Sequence, residues 1–86
     1  MATIDPKLEQ RLHDMPNRVV DLIVRTEGDP TPHLDWLTAN DIEVRQVYKL
    51  SPGVAVSCPG RDALKLLEQA WVVSVELDAP VSTLNV

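Results

Sequence analysis

Few side chains in this sequence could do chemistry: one thiol, Cys58, two imidazoles, His13 and His33, and a scatter of carboxylates. An activated thiol needs a base beside it, and a metal needs ligands at helical or hairpin spacing. Neither pattern occurs. Both histidines are distant from Cys58 in sequence, and it alternates with Val54 and Val56 on one apolar strand face, so it reads as a buried, inert thiol. His13 and His33 fall in different segments, each on a helix surface, with no second ligand at metal-binding spacing beside either one. No GxGxxG or Gly-Lys-Ser loop is present, and three glycines make no phosphate cradle. The expectation is a non-enzymatic chain with no catalytic residue, no metal ligand and no cofactor. What stands out instead is an acidic pair, Glu76 and Asp78, closing the β-branched run Val72-Val73-Ser74-Val75. Pro80 follows and stops strand pairing, because it has no N–H to give. The uncharged stretch after it has no core to join, and is either frayed or waiting for a partner.

The bulk composition narrows the classes of partner. A chain of 86 residues makes one small domain, burying about 60% of its unfolded surface. With no Phe, two Trp and one Tyr, its core must be built from Val, Leu, Ile and Ala. A net charge of −5 argues against nucleic acid and against an anionic membrane surface as partners. One cysteine cannot form an internal disulfide, so nothing calls for an oxidising compartment. The N-terminus has neither a basic nor an apolar leader region, and no run approaches the ~20 apolar residues of a membrane span. The expected compartment is cytoplasmic.

The elements that must position the acidic pair follow from periodicity and punctuation. Asp5-Pro6 predicts a helix start, Asp as N-cap and Pro as first helical residue, with Leu8, Leu12 and Met15 forming an amphipathic stripe. Arg18 to Thr26 predicts a strand with Val20, Leu22 and Val24 on one face and Val19, Asp21, Ile23 and Arg25 on the other. After the turn Glu27-Gly28-Asp29-Pro30, Thr31-Pro32 predicts the cap and first position of a helix carrying Leu34 and Leu37 and ending near Asn40. Ile42 to Leu50 predicts a strand with Ile42, Val44, Tyr48 and Leu50 set against Glu43, Arg45, Val47 and Lys49. Gln46 then falls on the apolar side. Ser51-Pro52-Gly53 predicts a hairpin turn into Val54 to Cys58. Arg61 to Ala70 predicts a helix with Ala63, Leu64, Leu67 and Ala70 inward and Asp62 in the first turn, where the macrodipole favours an acid. Trp71 to Asp78 is the closing strand.

The resulting order is an added N-terminal helix followed by β-α-β-β-α-β. That order suits an α+β, ferredoxin-like split βαβ sandwich with an antiparallel sheet and both helices on one face. Three segments follow: a helical extension over 1–17, the domain over 18–78 and an extended tail over 79–86. The open face is expected to carry Val19, Ile23, Val47, Ala55 and Val72 among charges, more apolar than solvation alone needs. The fold does not choose a function. RNA binding needs sheet-face aromatics, and the middle strands offer only Tyr48. An ACT-like module sensing a small ligand at a dimer interface remains a rival from another class. Protein binding alone gives the tail a use.

The residues resemble a family. Val72-Val73-Ser74-Val75-Glu76-Leu77-Asp78 with its extended apolar tail is similar to the closing strand and terminus of subtilisin propeptides and of the free-standing inhibitors built on the same domain. Ile4-Asp5-Pro6-x-Leu8 with Val19-Val20-x-Leu22-Ile23-Val24 resembles the opening of bacterial subtilase prosegments. Gly53-Val54-Ala55-Val56 with Ala63-Leu64-x-x-Leu67 resembles their hairpin and second helix. The resemblance implies that the open sheet face docks on two helices of a subtilisin-like serine protease. It implies that Glu76 and Asp78 meet the N-termini of those helices, where unpaired N–H groups and the dipole favour an anion. It further implies that Val81, Ser82, Thr83 and Leu84 lie in the active-site cleft as a product mimic, with Leu84 next to the catalytic serine. The chain departs from the family in having Leu77 where a second acid is frequent, Asn40-Asp41 in place of a turn glycine, Pro80, and Asn85-Val86 beyond the matched end. The expected function is inhibition of such a protease. The same residues would also serve an intramolecular chaperone of a cognate subtilase.

Overall fold

In the computed structural model, which describes residues 2–78, a single sheet runs through the molecule and all three helices supply its core. The elements in chain order are β1 (Thr3–Ile4), α1 (Pro6–Asp14), β2 (Val19–Thr26), α2 (Leu34–Ala39, led in by a 3₁₀ turn over Thr31–His33), β3 (Glu43–Tyr48), β4 (Gly53–Pro59), α3 (Gly60–Leu66) and β5 (Val72–Leu77). The sheet order is β1-β5-β2-β4-β3. The β2–β4, β2–β5 and β3–β4 pairs are antiparallel, and β1 runs parallel to β5. The described residues thus form a small α+β unit with a five-strand mixed sheet and three α-helices.

The fifth strand corrects the expectation of a purely antiparallel sheet. Thr3 and Ile4 pair with Ser74 and Val75, covering part of the outer edge of β5. Two residues are too few to display the period-2 pattern by which a strand is recognised. Immediately after, Asp5 caps α1 by accepting a 2.9 Å hydrogen bond from the Lys7 N–H, with Pro6 as first helical residue. Leu8 and Leu12 of α1 are buried in the shared core, whereas Met15 lies past the helix end and is exposed.

The core face of the sheet is a set of cross-strand rows: Leu77, Leu22, Val56 and Val44 in one, and Val75, Val24, Val54 and Val47 in the next. Val47 on that face is a correction, and a β-bulge is its cause. Pairing steps from Val44↔Val56 directly to Gln46↔Ala55, leaving Arg45 as the extra residue. Everything after the bulge changes face, so Val47 turns inward while Gln46 and Tyr48 turn outward. Burying the Gln46 amide without partners would cost about 1–3 kcal/mol. Leu50, expected on the apolar face, lies beyond the strand and is fully exposed. A second irregularity, between Arg25 and Thr26, sets Thr26 against Val72 and leaves Val73 as the extra residue. Val72 is therefore buried in the core and not on the open face.

The helices are shorter than their periodicity suggests. In α2 the first turn is 3₁₀, and Thr31 is not the cap. Its N–H and hydroxyl instead donate to Asp29 Oδ1 at 2.9 and 2.7 Å. In α3 the chain tightens after Leu66 into successive three-residue hydrogen bonds, Leu67 to Leu64, Glu68 to Lys65 and Gln69 to Leu66. The buried stripe is consequently Asp62, Ala63 and Leu66. Leu64 and Leu67 are half-buried and Ala70 is exposed. Two backbone constraints fix the hairpins. A Cβ at Gly53 would come within 2.6 Å of the Val24 carbonyl oxygen, so only glycine allows β4 to start against β2. Asp41 takes φ 61° where α2 turns into β3, a left-handed conformation that aspartate tolerates better than most residues.

Candidate functional site

The face of the sheet opposite the helices is covered by no element among the described residues, and the strand register arranges it in three rows. The first contains Asp78, Asp21, Ser57 and Glu43 on β5's exit, β2, β4 and β3. The second contains Glu76, Ile23, Ala55 and Gln46, and the third Ser74, Arg25, Gly53 and Tyr48. Of the five apolar residues expected here, Val19, Ile23 and Ala55 are present, while Val47 and Val72 belong to the core. Val19 is 61% exposed at one end. Ala55 is buried beneath its longer neighbours, so the centre of the face is low and apolar. A shallow hollow of about 400 Å³ lies between Ile23, Arg25, Tyr48 and the turn residues Leu50 and Ser51. Tyr48 was not placed on this face by alternation alone, and only the bulge at Arg45 puts it there.

The two acids singled out by the sequence stand in adjacent rows of this face but in different electrostatic states. Glu76 is exposed and, among the described residues, has no ion-pair partner. Asp78 has one. Its Oδ2 lies 3.9 Å from Arg45 Nη1, and its N–H donates to the Asp21 carbonyl at 2.9 Å, extending the β2–β5 ladder by one residue. Arg45 Nη1 also lies 3.4 Å from Asp21 Oδ2, while the Ser57 hydroxyl donates to Asp21 Oδ1. Val81, Ser82, Thr83 and Leu84 lie outside the described residues, as does Pro80.

The opposite side of the sheet buries two further groups with chemical potential, Cys58 and Asp62, while His13 is exposed on α1. Cys58 is buried on the core face. Desolvation, with a smaller contribution from the Asp62 charge, pushes its thiol up to about 12, so it carries almost no thiolate near neutral pH. Asp62 is 4% exposed. Its Oδ1 meets Lys65 Nζ at 3.0 Å, and its Oδ2 has no hydrogen-bond partner. Its place in the first turn of α3 lets the helix dipole offset part of that burial. His33, expected on the solvent side, is half-buried and stacks on Trp71 with ring centroids 4.2 Å apart, and Trp36 meets Trp71 edge-on at 5.6 Å. This cluster clamps α2 to the entry of β5. Its members are far apart in sequence and no local spacing signals it. A further groove of about 380 Å³ lies between α1 and β5, lined by Ile4, Leu8 and Leu77 with Lys7 and Arg11.

Among the described residues no group of three or more His, Cys, Asp or Glu side chains could hold a metal, and no helix is long and apolar enough to cross a membrane. Comparison with protein-family models, curated proteins and solved structures yields no match.

Proposed function

We propose that this protein inhibits subtilisin-like serine proteases, docking its open sheet face on the enzyme and placing Val81 to Leu84 in the active-site cleft as a product mimic. The observation that carries the reading is the position of Glu76. It is a carboxylate without an ion-pair partner among the described residues, on the uncovered face and one row from Asp78, where the chain leaves the sheet toward the tail. A carboxylate so placed suits the N-terminal end of a partner's helix, and the low apolar patch of Ile23 and Ala55 beside it suits the flank of such a helix. The two contacts reinforce one another, since a docked sheet raises the effective concentration of the tail at the cleft. An extended tail gains affinity from backbone pairing and selectivity from alternate pockets, for which Val81 and Leu84 are suitably apolar.

The finer fold reading belongs to the same proposal. The order β5-β2-β4-β3, with α2 between β2 and β3 and α3 between β4 and β5, supports a ferredoxin-like split βαβ domain to which β1 and α1 are added. The inert Cys58 suits a binding protein better than an enzyme.

The test is hydrolysis of a chromogenic peptide by a subtilisin in the presence of the full chain and of a chain ending at Pro80. Competitive inhibition by the first, with the second at least a hundredfold weaker yet equally stable, is the expected result (about 2.7 kcal/mol of binding). Equal inhibition by the two would rule out the tail's role.

A further inference from the structure

Arg45 sits on β3, at the opposite edge of the sheet from β5, with β4 and β2 between them. Its guanidinium nevertheless reaches Asp21 on β2, at 3.4 Å, and Asp78 at the end of β5, at 3.9 Å. The side chain must therefore lie across the sheet, past Ser57, as a strap over the acidic row. The bulge makes this possible, because Arg45 is the residue left unpaired when the register shifts. Ser57 completes the arrangement by donating to one Asp21 oxygen while Arg45 meets the other.

We infer that Arg45 is a specificity-determining residue that withholds Asp78 from a docking partner and leaves Glu76 to make the contact. The inference rests on the proposed docking of this face. All three strapped side chains are substantially exposed, at 48%, 49% and 34%, so the ion pairs add little to stability. Their effect falls on what approaches. A partner presenting a positive helix end over Asp78 meets the guanidinium first, a like charge that repels it, whereas over Glu76 it meets a carboxylate that pairs with no cation among the described residues. The face thus accepts a positive group in one row and rejects it in the next, which fixes the register of docking. Sequence alone makes the two acids equivalent, and only the strap distinguishes them.

The experiment compares inhibition of a subtilisin by the wild-type chain and by Glu76→Gln, Asp78→Asn, Arg45→Met and the Arg45→Met/Asp78→Asn double variant. Glu76→Gln is expected to weaken inhibition about five- to thirtyfold, the upper end of the range for a carboxylate at a helix N-terminus, reached where the contact is partly buried. Asp78→Asn alone should change it by less than about threefold, as exposed pairs do. Arg45→Met should leave inhibition equal or tighter, and in that background loss of the Asp78 charge should become costly. Weaker inhibition by Arg45→Met, or an Asp78→Asn loss as large as that of Glu76→Gln in the wild type, would overturn the inference. A wild-type chain that does not inhibit would instead overturn the proposed function. The strap is then decided on the free chain by NMR of the Arg45 guanidinium. Restricted rotation released by Asp21→Asn/Asp78→Asn supports it, and free rotation in the wild type refutes it.

Discussion

The two faces of the sheet are made from the same strands and obey different rules. On the helix side, Leu22, Val24, Val54 and Val56 are completely buried in continuous rows, and the polar intruders are a protonated thiol, an acid held by a lysine and a helix dipole, and Thr26, whose hydroxyl donates to the Gly28 carbonyl. On the other side the rows mix carboxylates, guanidinium groups and small apolar residues, and their pairs are long and half-exposed. The first face sets stability, because area removed from water dominates there. The second contributes little to folding and is free to specify a partner.

Substitutions in adjacent residues of β2 should break this comparison most sharply if it is wrong. Leu22→Ala opens a cavity in the closed face and should cost about 2–5 kcal/mol in chemical denaturation. Its neighbour Ile23 points the other way, and Ile23→Lys should cost less than about 1 kcal/mol, since a lysine stem can lie along the sheet with its charge in water. Similar losses at both positions would mean that the open face is not open.

Next in size is Gly53→Ala. Its Cβ would stand 2.6 Å from the Val24 carbonyl oxygen, so β4 must move off β2, at a cost of about 1–3 kcal/mol. A denaturation midpoint unchanged from wild type would show that the close approach can relax freely.

The buried thiol gives an effect confined to a defined alkaline pH window. Because the folded state raises Cys58 from an ordinary 9.0 to about 12, the unfolded chain loses its proton first as pH rises. The stability it contributes is fully present below pH 9 and is lost between 9 and 12, by at most about 1.4 kcal/mol per pH unit. Cys58→Ala should remove that part of the slope, and parallel stability curves for the two proteins would contradict the burial.

The smallest effect concerns Asp29, an exposed carboxylate whose two hydrogen bonds from Thr31 hold it below its ordinary value. That contribution is present near neutrality and fades as the pH falls through the Asp29 titration. Asp29→Ala should therefore lie below wild type near pH 7 and converge with it in acid. A gap that persists there would assign the loss to something other than the charge.

How much of this was legible beforehand varies along the chain for physical reasons. The β2 face pattern, the Asp5-Pro6 helix start and the Pro52-Gly53 hairpin were readable, because period-2 alternation, capping and turn chemistry are local. The clue to the β3 bulge was also present, in Gln46 falling on the apolar side, but alternation offers no means of inserting an extra residue. Missing it placed Val47 outward and Tyr48 inward. The strap of Arg45 and the His33–Trp71 stack join residues from separate elements, which no spacing rule connects. Glu76 and Asp78 could be picked out as a pair, but their different surroundings depend on where the far strand's guanidinium lies.

The most direct measurement is the inhibition constant of Ile23→Lys against a subtilisin, set beside that of the wild-type chain and with the folding stability of both determined. If the open face is the docking face, the wild type inhibits competitively, and the variant, folded and nearly as stable, is at least about a hundredfold weaker, because an ammonium on the central row cannot be desolvated against the enzyme. Equal inhibition by the two proteins, or none by the wild type at high micromolar concentration, would contradict it.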